Sequence, residues 1–515
     1  MFWTIELLYF IVMIAVFIVL MLVAKLPSGL SLMASALVGV VLSWAFSGTE
    51  FEFRYLIEGA FGYFDTILTI TTAMVFMGAL QVTGALEYIS AAVVKALRKW
   101  PTILLIVFMF IIMFPAMVTG SSLASAITSG ALVAPIMVKW GIPRAKVGAI
   151  VALGSVLGMI APPVNVPAMV ICDVVDIAFT GFELPLLLMV VPVAIAGVLV
   201  LGRKYVKPIE KEEVKNVCNV EVLKELKGTV VIPLYLLILL IVGEMVFPKI
   251  FGSFAMPGMF VISTVVAFFF GRKLPFFKKH EDNADASTNA MDKDECIVDV
   301  LRHGVGRSLG AMGLLMGVGM FMESIALNGV RSYFVANALM LPSLAKYFSM
   351  ALTLPILGGI SAYGSASILG GPFVMALYGS YASIPVTCGL SMLSAIGEFL
   401  PPTAMSATFA ASMVEEKKWT KVTKAALPAL GICYAYGLIY ILVFSKAIFK
   451  EDLFGIAAKN GTKFSQDKIY LILFIIMMVL TIAFAVIISL VYKNRQGKKN
   501  NDENVNNVEN MEVTE

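Results

Sequence analysis

The sequence predicts an all-α polytopic membrane protein, built as two inverted repeats of five transmembrane spans plus one re-entrant hairpin each, with an extra C-terminal span. Three observations lead there. Apolar windows of about 20 residues, the length that crosses a ~30 Å hydrocarbon core, recur along the whole chain. Of its 515 residues 59% are hydrophobic and only 14% charged, where soluble domains carry about 25% charged residues. Glycine and proline landmarks of the first half return, in order, in the second.

Hydropathy places spans at 4–24, 29–47, 65–83, 146–178 and 184–202, then at 229–247, 252–270, 305–325, 387–415 and 422–445, and finally at 468–492. The opening MFWTIE lacks the basic segment of a signal peptide, so the first run reads as a retained span. ALEYISAAVVKALRKW (85–100) is amphipathic and suited to lying along the interface. The stretches 101–140 and 343–382 each carry a glycine-serine cluster near the middle and read as hairpins entering and leaving on one side. The spans 146–178 and 387–415 are too long for one straight crossing, and each contains a Pro-Pro pair. They read as broken helices, because proline lacks the N–H and disturbs the preceding turn. Residues 1–202 thus form the first repeat, 203–228 a cytoplasmic loop, and 229–445 the second repeat with a cytoplasmic linker at 271–304. A loop and the extra span fill 446–492, and 493–515 reads as a disordered cytoplasmic tail.

Orientation follows from Lys and Arg. With an extracytoplasmic N-terminus and hairpins that do not cross, Lys95, Arg98, Lys99, Arg144, Lys146, the loop from Gly202, the linker, EEKKWTK (415–421) and the tail KNRQGKK (493–499) all fall in the cytoplasm. That is the positive-inside pattern; the loop 446–467 is the exception. Counting the hairpins as single crossings would scatter these clusters over both sides.

The repeat rests on matched landmarks. Gly78 and Gly319, Pro101 and Pro342, and Gly148 and Gly389 are each 241 apart, and Ile142-Pro143 returns as Ile384-Pro385. GxxxPP at Gly158, Pro162 and Pro163 returns 239 later at Gly397, Pro401 and Pro402. GSSLAS (120–125) has its counterpart in GSASI (364–368), 244 away. Five crossings per repeat is an odd number, so the second copy is inverted, a recurring design of secondary transporters.

Two Pro-Pro breaks therefore have a purpose beyond kinking. Non-helical backbone at membrane depth persists only where protein or a water-filled cavity satisfies it. A break frees carbonyls for a cation and N–H groups for an anion. The alternative is a pair of packing kinks.

GSSLAS from Gly120, PIMVKWGIP (135–143) and GMIAPP from Gly158 resemble the large membrane subunit of TRAP transporters, the DctM-like family of the ion transporter superfamily. The resemblance runs from about residue 20 to 445 and is best across 75–200. It implies sodium-driven uptake of an organic acid across a bacterial inner membrane by an elevator-like motion. It also implies a small membrane subunit and an extracytoplasmic substrate-binding protein as partners. Related stand-alone carriers share the architecture without a binding protein. The chain departs from the family pattern after both Pro-Pro pairs, with Val164-Asn165 and Thr403-Ala404.

The candidate site residues follow from the breaks and hairpins. Gly120, Ser121 and Ser122 are expected at the first hairpin tip, and Gly364, Ser365 and Ser367 at the second, where small residues let carbonyls reach a hard cation. Close helix packing would explain the same residues. Pro162, Pro163, Pro401 and Pro402 make the breaks; Asn165 and Thr403 follow them, facing substrate or sodium or else bonding the broken backbone. Sodium is expected near Ser121, Asn165, Ser365 and Thr403, with Ser125 and Ser406 as further hydroxyls. Glu398 is the most pointed ionisable residue: a proton-coupling carboxylate, a cation ligand or a neutral packed acid. Asp173, Asp176 and Glu323 read as surface or helix-end groups.

Other classes lose ground. Five cysteines without paired spacing and two histidines, His280 and His303, near a polar linker give no disulfide framework, zinc site or nucleophile–base pair. No GxxxxGK[ST] loop is present, so no ATP hydrolysis is expected, and no cofactor beyond the coupling ion. A net charge of +4 is too small and scattered for nucleic acid. A channel remains the alternative that ion current would distinguish.

Overall fold

The computed structural model describes residues 5–442 apart from 48–49, 211–213, 215–217, 219–220, 227, 247–254, 271–274, 276–295, 341, 378–382 and 402. The expected loop 446–467, extra span 468–492, tail 493–515, Pro402 and most of the linker lie outside the described residues.

Every regular element among the described residues is helical. Seven helical runs there are long and apolar enough to cross a membrane. The first half runs α1 (Ile5–Leu22), α2 (Ser28–Ser47), α3 (Phe53–Phe61), α4 (Phe64–Val82) and the amphipathic α5 (Ala85–Leu97). Then come α6 (Pro101–Thr119), α7 (Ser122–Ser125), a π-helical turn at Ala126–Gly130 and α8 (Ala131–Lys139), which form a hairpin. The helices α9 (Arg144–Met159) and α10 (Val166–Val175) are separated by a break, and α11 (Glu183–Gly202) closes the half. After the short α12 (Val222–Glu225), the second half runs α13 (Ile232–Val246), α14 (Ala255–Phe270), α15 (Ile297–Leu327) and α16 (Val330–Met340). A second hairpin follows as α17 (Ser343–Gly358), α18 (Ala362–Ser365), a π-helical turn at Ala366–Gly370 and α19 (Gly371–Leu377). A second broken helix, α20 (Ser383–Ile396) and α21 (Met405–Met413), precedes α22 (Trp419–Ile439).

A hairpin, a broken helix and a closing helix therefore follow one another in each half, and the hairpins correct the register expected from sequence. Ser121 and Ser361 each N-cap a four-residue helix, their Oγ atoms accepting from the N–H three residues on. Ser125 and Ser365 each donate to a carbonyl of the preceding limb, Ile112 O and Leu354 O. The π-helical turns start at 126 and 366. All three pairs are 240 apart, so GSASI sits one helical turn beyond the equivalent of GSSLAS. The second turn is at Gly359–Ser361, not at Gly364.

Two further expectations change. The linker was to extend to 304, but α15 starts at Ile297, held by a capping box in which Asp299 accepts from the Cys296 N–H. His303 accordingly lies on a helix rather than in a linker. The helices α3 and α16 were not foreseen. Both are short and follow or precede a longer run, and apolar content alone does not mark them. All five cysteines are free and buried, and Asp173 and Asp176 lie at the end of α10.

The helices sort into two groups. In one, α15 lies along α2, α3 and α4, with α1 on α2 and α14 on α4. In the other, α9 is central and packs on α6, α11, α21 and α22, while α20 packs on α17, α22 and α10. The short helices α5 and α16 touch both groups, α5 through α4 and α6, α16 through α1 and α19. Lipid offers no hydrophobic drive for helix association, so close packing has to do the work. In the first group it is done by glycine. A Cβ on Gly59 would lie 2.5 Å from the Gly319 carbonyl oxygen, and one on Gly319 would lie 2.0 Å from that of Gly59. Large side chains such as Trp44, Phe269 and Phe348 are exposed on the periphery, as lipid-facing residues would be.

Gly319→Ala is expected to lower stability by about 1–3 kcal/mol, because two backbones must separate. Gly313→Ala, whose new Cβ meets nothing within 4 Å, is expected to be neutral or stabilising by up to about 1 kcal/mol. Thermal unfolding of the two variants in detergent checks the contrast.

Candidate functional site

Four chain interruptions meet in the second helical group. At the first break α9 stops at Met159, and the Pro162–Pro163 peptide is cis. Prolines donate nothing, so another group must satisfy the broken backbone. Asn165 does so. Its Oδ1 accepts from Ala168 N–H at 2.9 Å as the N-cap of α10, while Nδ2 donates to Ile160 O at 2.9 Å and to Ser391 Oγ at 3.1 Å. The fully buried amide thus closes the break on itself and reaches across to α20 of the second repeat.

At the second break α20 gives way to a 3₁₀ turn at Gly397–Phe399, and Ala404 (φ +41°) starts α21. Thr403 points its hydroxyl at Gly359 O (2.7 Å), and its N–H donates to the same oxygen at 3.2 Å. Gly359 belongs to the second hairpin turn, so Thr403 fixes break to hairpin. Pro401 is exposed, whereas Pro162 is buried and Pro163 half-buried.

The first hairpin turn mirrors this arrangement. Gly120 is left-handed (φ +63°), and a Cβ there would meet Val166 Cγ2 at 2.4 Å, directly beside the first break. Val164 N–H donates to Met117 O at 3.2 Å, tying break to limb. Thr119 Oγ1 accepts from Ser121 N–H at 3.2 Å and donates to Pro115 O at 2.7 Å, which fixes the turn. Both hairpins therefore turn at the height where a neighbouring helix is broken.

The two hairpin–break pairs join through Glu398 and Tyr363. Ser122 Oγ donates to Glu398 Oε2 at 2.6 Å, and Ser406 Oγ donates to the same oxygen. Tyr363 donates its hydroxyl proton to Gly120 O at 2.5 Å. All of these side chains are buried. The ion pairs Arg54–Glu58, Arg144–Glu415 and Lys421–Glu416 lie elsewhere. Among the described residues Glu398 is held by hydroxyls and by no counter-ion.

Of the sequence-predicted residues, Gly120, Ser121, Ser122, Asn165, Glu398, Thr403 and Ser406 come together around the tips. Ser125 is turned inward to Ile112 O and to Ser155 Oγ, which donates to it at 3.1 Å. Gly364, Ser365 and Ser367 lie past the second turn; Ser365 bonds Leu354 O at 2.7 Å. Sequence reasoning missed Tyr363, because a tyrosine in an apolar run reads as core or interface. Its setting between Ala362 and Gly364 was the available signal. It also missed Thr387 and Ser394 of α20, whose buried hydroxyl oxygens have no hydrogen-bond partner among the described residues. No three His, Cys, Asp or Glu side chains gather as a metal-binding group among the described residues. The donors at the tips are all oxygen, which suits a hard cation rather than a soft metal.

Asn165→Ala is expected to lower stability by about 2–4 kcal/mol, through loss of the cap and an orphaned buried carbonyl. Ser391→Ala should cost about 1 kcal/mol, and the double variant less than the sum, since the two share one hydrogen bond. Thermal unfolding of the three proteins checks this.

No curated protein matches the chain. The family model described as Tripartite ATP-independent periplasmic transporter, DctM component, matches residues 14–447, a run that takes in both hairpins, both breaks and every site residue above. The chain belongs to the DctM family, the large membrane component of TRAP transporters.

Proposed function

We propose that this chain is the sodium-driven permease subunit of a TRAP system, importing small organic anions such as dicarboxylates across a bacterial inner membrane by an elevator-type motion. The observation that carries the proposal is the meeting of two hairpin turns and two helix breaks, linked by Ser122–Glu398–Ser406 and Tyr363–Gly120. Secondary transporters with inverted repeats place substrate and coupling ions at such interruptions. On this reading the repeats are inverted and the hairpins re-entrant, the first from the cytoplasm and the second from outside. The N-terminus is extracytoplasmic and the tail cytoplasmic, in keeping with the Lys and Arg distribution.

Sodium would be held by oxygens near Ser121 and Asn165 in the first half and near Thr403 in the second, where the turn at Gly359–Ser361 takes the place expected for Ser365. The donor set fits: carbonyls, hydroxyls, the buried Glu398 carboxylate, and an orphaned hydroxyl on Ser394. A bound cation supplies the charge that an unpaired buried carboxylate needs. The substrate anion is then met by half-helix N–H groups, hydroxyls and co-bound cations rather than by an arginine clamp. The glycine-packed helices around α15 serve as the static scaffold, the group around α9 carries the site, and α5 and α16 link them. A small membrane subunit and an extracytoplasmic binding protein deliver the substrate.

One observation favours a second reading, a stand-alone carrier with proton coupling: Glu398 is buried and, among the described residues, held by two serine hydroxyls alone, as a protonatable carrier would be. The two readings separate in one titration. Purified protein is unfolded thermally against NaCl, with KCl and choline chloride at matched ionic strength. Sodium coupling predicts a saturable, sodium-specific rise of about 1–3 kcal/mol at tens to hundreds of Kd. Glu398→Gln should abolish most of that rise. Coincident curves for all three salts, with uptake into proteoliposomes following a pH gradient, would replace sodium with protons.

A further inference from the structure

Tyr363 crosses from one hairpin to the other. It sits in the single turn α18, set by Ser361 Oγ accepting from Gly364 N–H at 3.1 Å. Its phenol reaches Gly120 O, the last carbonyl of the first limb, at 2.5 Å. That carbonyl has a fixed direction. Gly120 is left-handed and its N–H donates to Ala116 O at 2.7 Å, while Val166 and Val164 leave no room for a side chain. Ser122, two residues on, turns to Glu398. A carbonyl pinned at a helix end, buried, and two residues from a serine that bonds a carboxylate is the kind of oxygen a hard cation seeks. It is also a group that must be satisfied when no cation is there.

We propose that Tyr363 competes with sodium for the Gly120 carbonyl. Without the ion, the phenol proton satisfies that oxygen and holds the two hairpin turns together; with it, the phenol is displaced and the hairpins gain freedom to part. The inference rests on the sodium-coupled reading above and extends it, because it gives the chain an internal device that weakens sodium binding and so favours release. A neutral hydrogen bond is weak enough to be displaced, and its loss corresponds to about a 2- to 10-fold change in apparent affinity.

The test is a sodium titration of thermal stability on the full-length protein at constant ionic strength, choline replacing sodium, for wild type and Tyr363→Phe. Tyr434→Phe serves as a control, since Tyr434 donates to Ala351 O at 3.0 Å in a bond unrelated to the hairpin turns. Tyr363→Phe is expected to be less stable without sodium, and to reach half-maximal stabilisation at about 2- to 10-fold lower sodium. The control should lose stability with its sodium midpoint unchanged. Replacing Tyr363 by 3-fluorotyrosine keeps the side chain's size and makes a stronger donor, so the midpoint should move up. This second arm remains informative where Tyr363→Phe does not fold. An unchanged midpoint in Tyr363→Phe would make the tyrosine a packing residue, and a raised one would make it a sodium ligand; either overturns competition. A wild type that responds equally to sodium and choline would instead overturn sodium coupling itself, and that result is seen before any variant is compared.

Discussion

Everything in the second helical group depends on satisfying broken backbone in a place where water is scarce. An unpaired N–H or C=O in hydrocarbon costs several kcal/mol, so membrane chains keep to unbroken helices. This chain breaks its backbone four times, at two hairpin turns and two Pro-Pro sites, and lets the breaks satisfy one another. Thr403 is bonded to the second turn, Val164 to the first limb, and Asn165 closes its own break while reaching Ser391. No one of these segments would persist alone at that depth. The order in which they pack follows: α9 and α20 lie centrally because the breaks at their ends need the hairpins on them.

The economy of polar groups sets what the site can do. Several threonines among the described residues donate to a carbonyl of their own helix, as Thr69, Thr71, Thr264 and Thr353 do, and so reach no other element. The groups around Glu398 differ in reaching across the repeats. Ser122 and Ser406 converge on one carboxylate oxygen from different repeats. A network split between two halves can be rearranged by a ligand that competes for its oxygens, whereas a hydroxyl bonded to its own helix cannot. The hydrogen bonds open to such competition are therefore the ones that join the two halves of the chain, Ser122 to Glu398 and Tyr363 to Gly120.

Sequence legibility followed the same division. The helical, apolar character and the position of the first break were readable because hydropathy and proline act locally: α9 and α10 part where Pro162 and Pro163 predict, and α6 ends at Gly120. Asn165, Glu398 and Thr403 stand out in the sequence as polar residues in apolar runs, and Ser122 as a small residue of the glycine-serine cluster; the structure places all four beside the breaks and turns. The register of the second hairpin was not legible. Gly364-Ser365 looks like Gly120-Ser121, yet the turn is made by Gly359–Ser361, because a turn depends on which serine can cap the next helix and not on the most glycine-like match. Tyr363 was hidden for a related reason. Its role exists only through contact with Gly120, which lies 243 positions earlier, and no local pattern encodes that partner. The start of α15 escaped because a cysteine serves as its N-cap.

The two helical groups share close glycine packing and differ in their hydrogen bonds. Around α15 the contacts are backbone on backbone, with Gly59 and Gly319 leaving no space for even a methyl group. Such packing is stiff, because any separation forfeits many short contacts at once. The contacts between groups are fewer in kind and run through short helices, α5 and α16, and a few edges. Within the site-bearing group the bonds that matter most are single hydrogen bonds between hydroxyls, a carboxylate and two carbonyls. Close glycine contacts tighten both groups, Gly59 on Gly319 around α15 and Gly358 on Ser394 beside the second break; what sets the site-bearing group apart is the set of hydroxyls that converge on Glu398 and Gly120.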